Sequence, residues 1–220
     1  SDGTRVAIGA TENDSNGNNA GHVRVYDWNG TAWTQVGGNI DGEAAGDQSG
    51  FSVSLSSDGK RVAIGALLND GNGTDSGRVR VYEYSGNAWT QVGGDIDGEA
   101  AGDQSGFSVS LSSDGTRVAI GAYFNDNGNG TNSGHVRIYE YSGTAWVQVG
   151  DDIDGEAAGD RSGTSVSLSS DGMWVAIRAF SNAGNGNGTS HVRVYEYSGS
   201  AWVQAGSDID GEAADDLSGY

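Results

Sequence analysis

The chain contains no cysteine and no proline, and this double absence restricts how it can be stabilised. Without cysteine, disulfides cannot hold the fold together and thiol chemistry is excluded. Without proline, the 39 glycines must make the turns, together with Asn, Asp, Ser and Thr, which bond to their own backbone. The composition therefore predicts many short strands joined by tight turns.

Basic residues and long apolar runs are also scarce. Lys and Arg number 11 against 30 Asp and Glu, and the resulting net charge of -19 argues against nucleic acid as a ligand. No run of about 18 apolar residues occurs, so we expect no insertion into a membrane. No basic-then-apolar leader stands at Ser1, and because the sequence opens in mid-repeat we expect a mature or excised piece.

What the sequence does contain is a four-fold internal repeat. It begins SDGTRVAIGA at Ser1, and near-copies begin at Ser57, Ser113 and Ser170, at spacings of 56, 56 and 57 residues. A self-similar period of this length is typical of propellers, solenoids and arrays. The predicted unit boundaries are 1–56, 57–112, 113–169 and 170–220.

The second unit, together with the segment before it, predicts four strands. Residues 51–56, 61–66 and 78–84 alternate apolar and polar side chains, and residues 88–92 follow a Ser-Gly turn. One such sheet cannot bury its own faces, so stacking on a neighbour must supply the core. We therefore predict an all-β fold, a β-propeller-type array of four-stranded antiparallel blades, either open or part of a larger ring.

Two features predict how the blades pack. In the second strand, Val62 and Ile64 share one face while the small Ala63 and Gly65 share the other, which suits a place where neighbouring sheets converge. Tryptophan recurs at one register of the fourth strand, where we expect it to anchor packing, because sugar stacking would require exposed rings. These tryptophans are Trp33, Trp89, Trp146 and Trp202.

Three motifs of the repeat resemble the FG-GAP repeats of integrin α-subunits: DQSGFSV at 47–53, VAIGA at 62–66 and VRVY at 79–82. The resemblance covers all four units. It implies propeller blades and a secreted or cell-surface protein of adhesive or structural use. The family's calcium loop between the first two strands is replaced here by the short turn at 56–59, so that calcium site does not carry over.

Acidic loops nonetheless repeat in every unit. Strand alternation places the loop between the second and third strands on the same face as the connection to the next unit. Crowded carboxylate and amide oxygens are ligands that Ca²⁺ accepts, although Asp and Asn also make turns and acidic loops keep repeat proteins soluble. The candidate metal ligands are Asp41, Glu43, Asp47, Asp70, Asp75, Asp97, Glu99, Asp103, Asp126, Asp154, Glu156, Asp160, Asp210, Glu212 and Asp216.

Repetition argues against catalysis. The pair Glu43 and Asp47 would suit a glycosidase, but a catalytic centre is normally unique, and these carboxylates occur in four copies, so we predict no enzyme. The histidines share one position, which Arg78 occupies in the second unit. Since arginine would not replace a required metal ligand, we interpret them as strand-edge polar residues. They are His22, His135 and His191.

Five Asn-x-Ser/Thr sequons are candidate glycosylation sites if the protein is secreted by a eukaryote. In a chain so rich in Asn, Gly and Thr, chance accounts for some of them. The sequons begin at Asn13, Asn29, Asn72, Asn129 and Asn187.

The fourth unit stops before the first strand of a further copy, because Tyr220 is the counterpart of Phe51. An open blade leaves a strand edge unpaired, which predicts either self-association into filaments or continuation of the same array. The fourth unit also diverges at Trp174 and Arg178. We expect an extracellular adhesion or structural module, whose partners are its own copies, glycans or surface proteins; the alternative is a carbohydrate-binding propeller.

Overall fold

The computed structural model describes residues 3–181 and 190–212, which form nineteen β-strands in four antiparallel sheets. The all-β prediction is confirmed. Within these residues no helix is long and apolar enough to cross a membrane. We call the four sheets blades 1 to 4 in chain order.

Each blade is a run of consecutive strands. Blade 1 contains β1 (Arg5–Ala10), β2 (His22–Trp28), β3 (Trp33–Gln35) and β4 (Ile40–Asp41). Blade 2 contains β5 (Ser52–Leu55), β6 (Arg61–Ala66), β7 (Arg78–Tyr84), β8 (Trp89–Gln91) and β9 (Ile96–Asp97). Blade 3 contains β10 (Ser108–Leu111), β11 (Arg117–Ala122), β12 (His135–Tyr141), β13 (Trp146–Gln148) and β14 (Ile153–Asp154). Blade 4 contains β15 (Ser162–Leu168), β16 (Trp174–Ala179), β17 (His191–Tyr197), β18 (Trp202–Gln204) and β19 (Ile209–Asp210).

The four-stranded blade is confirmed in blades 2 to 4, with one addition. In blade 2 the strands follow the order β5-β6-β7-β8, and the short β9 also pairs with β7, where Ile96 lies opposite Val79. The connection between blades therefore crosses back over the start of the third strand. Blade 1 has no counterpart of β5 among the described residues.

The first strands of successive blades lie side by side on the inner side of the stack. Leu111 N donates to Ser54 Oγ at 3.0 Å, and Leu168 N donates to Ser110 Oγ at 2.9 Å. The sheets thus converge at their first strands and diverge toward the fourth, as propeller blades do.

The hydrophobic cores lie between blades rather than inside them. Val62 and Ile64 pack toward blade 1, whereas Ala63 packs toward blade 3, which confirms the two faces predicted for this strand. We call these the leading and trailing faces of a blade. The leading face of blade 2 consists of Val62, Ile64, Tyr82 and Trp89, and its trailing face of Ala63, Val79, Val81 and Ile96.

The tryptophans of the fourth strands join neighbouring blades. Trp89 Nε1 donates to the carbonyl of Val36 at 2.9 Å, a residue of the preceding blade. Trp146 and Trp202 repeat this bond at the next two junctions. The prediction that tryptophan anchors packing is confirmed for these three, whereas Trp33, before which no blade is described, is 46% exposed.

Candidate functional site

The loops predicted to share one face do lie together. Asn72, in the loop after β6, donates from Nδ2 to the carbonyls of Gly98 and Glu99 in the connection after β9, at 3.0 and 2.8 Å. Asn16 and Asn129 make the corresponding bonds in blades 1 and 3. We call this side of the stack the acidic face.

One carboxylate recurs in the connections, and in the three connections where it is described it is buried and hydrogen-bonded. Asp103 Oδ2 accepts from Ala100 N and from Asn125 Nδ2 of the next blade, both at 3.0 Å. Asp47 has the equivalent partners, and Asp160 accepts from its own turn. These side chains close a turn and join blades; Asp216 lies outside the described residues.

The carboxylates of the loops also shape turns. Asp70 Oδ1 accepts from Asp75 N at 2.9 Å, and Asp126 Oδ1 accepts from Asn132 N at 2.7 Å. Asp75 and Asn132 both adopt a positive φ of 53°. These bonds account for the presence of Asp and Asn at these positions.

The aspartates of the short strands lie beside the start of the third strands. Asp97 Oδ1 accepts from Arg78 Nε at 2.6 Å, and Asp154 Oδ1 accepts from Asn127 Nδ2 at 3.0 Å. Asp41 lies 3.8 Å from His22 Nδ1. The remaining candidates of blade 4, Asp210 and Glu212, are exposed.

A cluster that the sequence did not predict forms where blade 2 meets blade 3. It combines Glu99 of the connection, His135 at the start of β12 and Asp152 of the following connection. His135 Nδ1 lies 3.8 Å from Glu99 Oε2 and 3.7 Å from Asp152 Oδ2. Each of the three histidines is the first residue of its strand, and all three are buried, which the sequence interpretation did not foresee.

The same cluster recurs where blade 3 meets blade 4, built from Glu156, His191 and Asp208. Between blades 1 and 2 the histidine is replaced by Arg78. Its guanidinium pairs with Glu43 and, at 3.1 Å, with Asp95 Oδ2.

Burial is the largest cause of the pKa shifts of His135, Glu99 and Asp154. Desolvation, reinforced by the nearby Arg137 charge, lowers the pKa of His135 to about 4, against the opposing pull of Asp152. Desolvation also raises the pKa of Glu99 and that of Asp154, and the Asp152 carboxylate raises both further. Hence the imidazole is neutral at pH 7, beside carboxylates that repel one another.

A second candidate site is an aromatic cleft of about 410 Å³ at the inner ends of blades 3 and 4, on the side where the second strands end. Phe107 and Tyr123 form one wall, with ring centroids 4.1 Å apart. Arg178 lies over the ring of Phe180 at 5.1 Å, and Arg161 also lines the cleft. The earlier units keep the phenylalanine, as Phe51, but differ at three other positions of the cleft: the counterparts of Tyr123, Arg161 and Arg178 are Leu67, Gln104 and Gly121.

The sequons fall in different surroundings. Asn29 is exposed at a hairpin, where its Oδ1 accepts from Thr31 N and Ala32 N. Asn72 and Asn129 use Nδ2, the atom that would carry a glycan, to bond the connection. Asn13 is half-buried, and Asn187 lies outside the described residues.

Comparison with known proteins identifies the repeat and the fold. The FG-GAP repeat model matches residues 40–82 and 96–139. No curated protein matches the chain by sequence.

Several solved structures share the fold at low identity. A putative 6-phosphogluconolactonase from Bacteroides uniformis is 12% identical with a TM-score of 0.57, over 86% of this chain and 48% of that one. The open-velcro propeller domain of the Trilobed protease from Pyrococcus furiosus is 10% identical with a TM-score of 0.52, over 95% and 56%. An acylaminoacyl peptidase is 10% identical with a TM-score of 0.53, over 95% and 32%.

These likenesses establish the propeller fold and leave function to the residues of this chain. The chain spans about half the length of the first two structures.

Proposed function

Because this chain carries FG-GAP repeats folded as propeller blades, we propose that it is a non-enzymatic structural and adhesive module outside the cell, in which the leading face of blade 1 packs against a further blade of the same repeat. The family resemblance supports the extracellular setting and the adhesive use. The observation that carries the proposal is the exposed leading face of blade 1.

That face is apolar and concave. Val6, Ile8, Tyr26 and Trp33 line a depression of about 230 Å³, and they are the counterparts of the residues that form the leading face of blade 2. Ile8 is 54% exposed, whereas its counterpart Ile64 is 1% exposed. A surface that every later blade buries is thus open here, which is typical of an interaction site.

The junctions inside the array show which residues of one blade allow the next blade to pack on its trailing face. Arg61 NH1 donates to the carbonyl of Gly115 in the next blade at 3.1 Å, and its guanidinium lies 5.2 Å from the ring centre of Tyr141. Gly65 leaves room for the next backbone, since a Cβ there would lie 2.1 Å from Gly106 O. Arginine and glycine at these two positions therefore mark a blade that accepts a successor.

Blade 4 has lost both of these residues. Trp174 stands in place of the arginine and Arg178 in place of the glycine. A successor packed as at the internal junctions would meet the Cβ of Arg178. We therefore propose that a further blade packs on the leading face of blade 1, and that no further blade packs in the regular way on the trailing face of blade 4.

Adding one repeat at each end tests this proposal. A second copy of residues 57–112 placed before Ser1 supplies blade 1 with a first strand and a preceding blade in the native register. We expect the melting temperature to rise by about 10 °C or more, because burying some 200 Å² of apolar surface contributes roughly 5 kcal/mol. The fluorescence of Trp33 should also shift as its ring becomes buried.

The matched control is a copy of residues 52–107 placed after Tyr220. We expect little gain from it, and a larger gain once Trp174→Arg and Arg178→Gly restore the regular residues. Equal stabilisation at both ends, or none at the leading end, would contradict the proposal. Native mass of the unextended chain gives a further test: because blade 4 ends the regular packing, we expect no head-to-tail association of copies, and concentration-dependent head-to-tail oligomers would contradict the proposal.

Binding of Ca²⁺ to the acidic face has less support than the packing of a further blade on blade 1. Many carboxylates on the acidic face favour a divalent cation. The turn aspartates, however, already accept hydrogen bonds, as Asp103 does from Ala100 N. The glutamates of the connections lie beside arginines, as Glu99 Oε1 does at 3.5 Å from Arg137 NH1.

Carbohydrate binding is the second candidate function, and the aromatic cleft favours it. Tyr123 and Phe107 offer ring faces for stacking, while Arg161 and Arg178 offer positive charge in an acidic protein. These groups suit a sugar that bears a carboxylate. We expect Tyr123→Leu, which restores the residue found at Leu67, to weaken binding of such glycans by up to about tenfold in a glycan panel, since stacking of a ring contributes about 0.5 to 1.5 kcal/mol. A uniformly blank panel, or unchanged binding by this variant, would dismiss the hypothesis.

A further inference from the structure

We propose that the junctions between blades 2 and 3 and between blades 3 and 4 each bind a divalent transition-metal ion of the Zn²⁺ class, through one glutamate, one histidine and one aspartate. The first junction site consists of Glu99, His135 and Asp152, and the second of Glu156, His191 and Asp208. This inference goes beyond the structural function proposed for the chain.

The histidine of the first junction site is buried without a hydrogen-bond partner. Its side chain is 1% exposed, and among the described residues neither ring nitrogen has a hydrogen-bond partner. Buried polar atoms are nearly always bonded, so an unbonded imidazole calls for a missing partner. Nδ1 lies 3.8 Å from Glu99 Oε2 and 3.7 Å from Asp152 Oδ2, so a cation placed among the three atoms would give Nδ1 its partner.

The two carboxylates are already oriented by other side chains. Gln148 Nε2 donates to Asp152 Oδ1 at 2.6 Å, and Arg137 NH1 lies 3.5 Å from Glu99 Oε1. The second oxygen of each carboxylate therefore faces the histidine. Outer partners of this kind hold metal ligands in position.

The spacing of the donor atoms is close to what a metal needs. Tetrahedral Zn²⁺ with bonds of about 2.0 Å places its ligand atoms about 3.3 Å apart. The distances from His135 Nδ1 exceed this by a few tenths of an ångström, which a small side-chain rotation removes. Binding of the ion would therefore require only small movements of the three donor side chains.

At the second junction site the two carboxylates have the same outer partners. Gln204 Nε2 donates to Asp208 Oδ1 at 2.7 Å, and Arg193 NH1 lies 3.7 Å from Glu156 Oε1. His191 Nε2 is buried and has no hydrogen-bond partner in the described part of the chain.

Arg78 places a cationic group at the corresponding position of blade 2. At the junction of blades 1 and 2 its guanidinium contacts Glu43 Oε2 and lies 3.1 Å from Asp95 Oδ2, the counterparts of the two metal-site carboxylates. The sequence alone suggested that exchange of histidine for arginine excludes a metal. The structure assigns the opposite meaning, because arginine brings its own charge where histidine leaves room for an ion.

His22 shares the burial of the other two histidines, and its Nδ1 also lacks a hydrogen-bond partner among the described residues, but its carboxylates differ. Asn39 stands where the later blades have aspartate, and no glutamate of a preceding blade is described beside it. With one carboxylate, Asp41, 3.8 Å from Nδ1, this position lacks the full ligand set. We therefore expect two ions per chain.

The donor set favours Zn²⁺ over Ca²⁺. Imidazole with two carboxylates is typical of zinc and similar ions, with water completing the coordination. Calcium instead takes six to eight oxygens and gains nothing from imidazole.

Zn²⁺ titration of the tag-free, chelator-stripped chain tests the proposal. Calorimetry should give a stoichiometry of two, and the melting temperature should rise by about 5 to 10 °C per site when free Zn²⁺ is a hundredfold above its Kd. Ca²⁺ at the same concentration should not occupy these sites. Absence of stoichiometric Zn²⁺ binding would overturn the proposal.

Two variants test the role of the histidine by interchanging His and Arg at the repeat position that His135 and Arg78 share. His135→Arg should reduce the stoichiometry from two to one while keeping the metal-free melting temperature, because its guanidinium can pair with Glu99 and Asp152 as Arg78 pairs with its own partners. Arg78→His should raise the stoichiometry from two to three. A stoichiometry that neither variant changes would show that Zn²⁺ binds elsewhere on the acidic surface, and equal binding of Ca²⁺ would show that the imidazole is not a ligand; either result overturns the proposal.

Discussion

Trp146→Ala is expected to lower the free energy of unfolding by about 3 to 5 kcal/mol, the usual cost of truncating a packed tryptophan. The indole packs against the core between blades 2 and 3 and lies 5.3 Å from the ring of Tyr141. Its Nε1 donates to Val92 O of the preceding blade at 2.8 Å. The substitution therefore removes apolar contacts and a hydrogen bond between blades, and urea denaturation measures the loss.

Trp33→Ala is the matched control. Trp33 has the same register in its blade and a similar aromatic neighbour, Trp28, but its ring is 46% exposed and no preceding blade is described beside it. We expect a cost below about 1 kcal/mol in the isolated chain. If both substitutions cost the same, the stability would come from single sheets, and the conclusion that stacking of blades supplies the core would be wrong.

The strands were predictable because their signal is local. The alternation in Arg61–Ala66 and Arg78–Tyr84 fixed both strands to the residue, since every second side chain must enter one of two cores. The two-residue strand Ile96–Asp97 was not predictable, because it is too short to show a period. It forms only because the connection crosses the start of the third strand.

The junction clusters were not predictable because their members come from different repeats. Glu99 and His135 are 36 residues apart, and nothing in the period says that the glutamate of one unit lies beside the histidine of the next. That neighbourhood depends on how the blades are offset when they stack. A signal was nonetheless present: Asn39 replaces the aspartate that the other three units carry at this position.

Gly121→Ala is expected to destabilise the chain by about 3 kcal/mol or more. A Cβ at this position would lie 2.1 Å from Gly163 O of blade 4 and 2.5 Å from Ser108 Oγ. Because the first contact is with backbone, it can be relieved only by moving one blade away from the next, which opens the shared core. Urea denaturation, with the melting temperature as a second measure, gives the size of the effect.

Gly94→Ala is the control, because nothing lies within 4 Å of a Cβ added there. We expect a change within about 0.5 kcal/mol. In the fourth unit this position is already occupied by a large residue: Arg178 is the counterpart of Gly121, and no further blade is described beside it. If Gly121→Ala were as mild as Gly94→Ala, blades could adjust their separation freely, and Arg178 could no longer be taken to end the regular packing at blade 4.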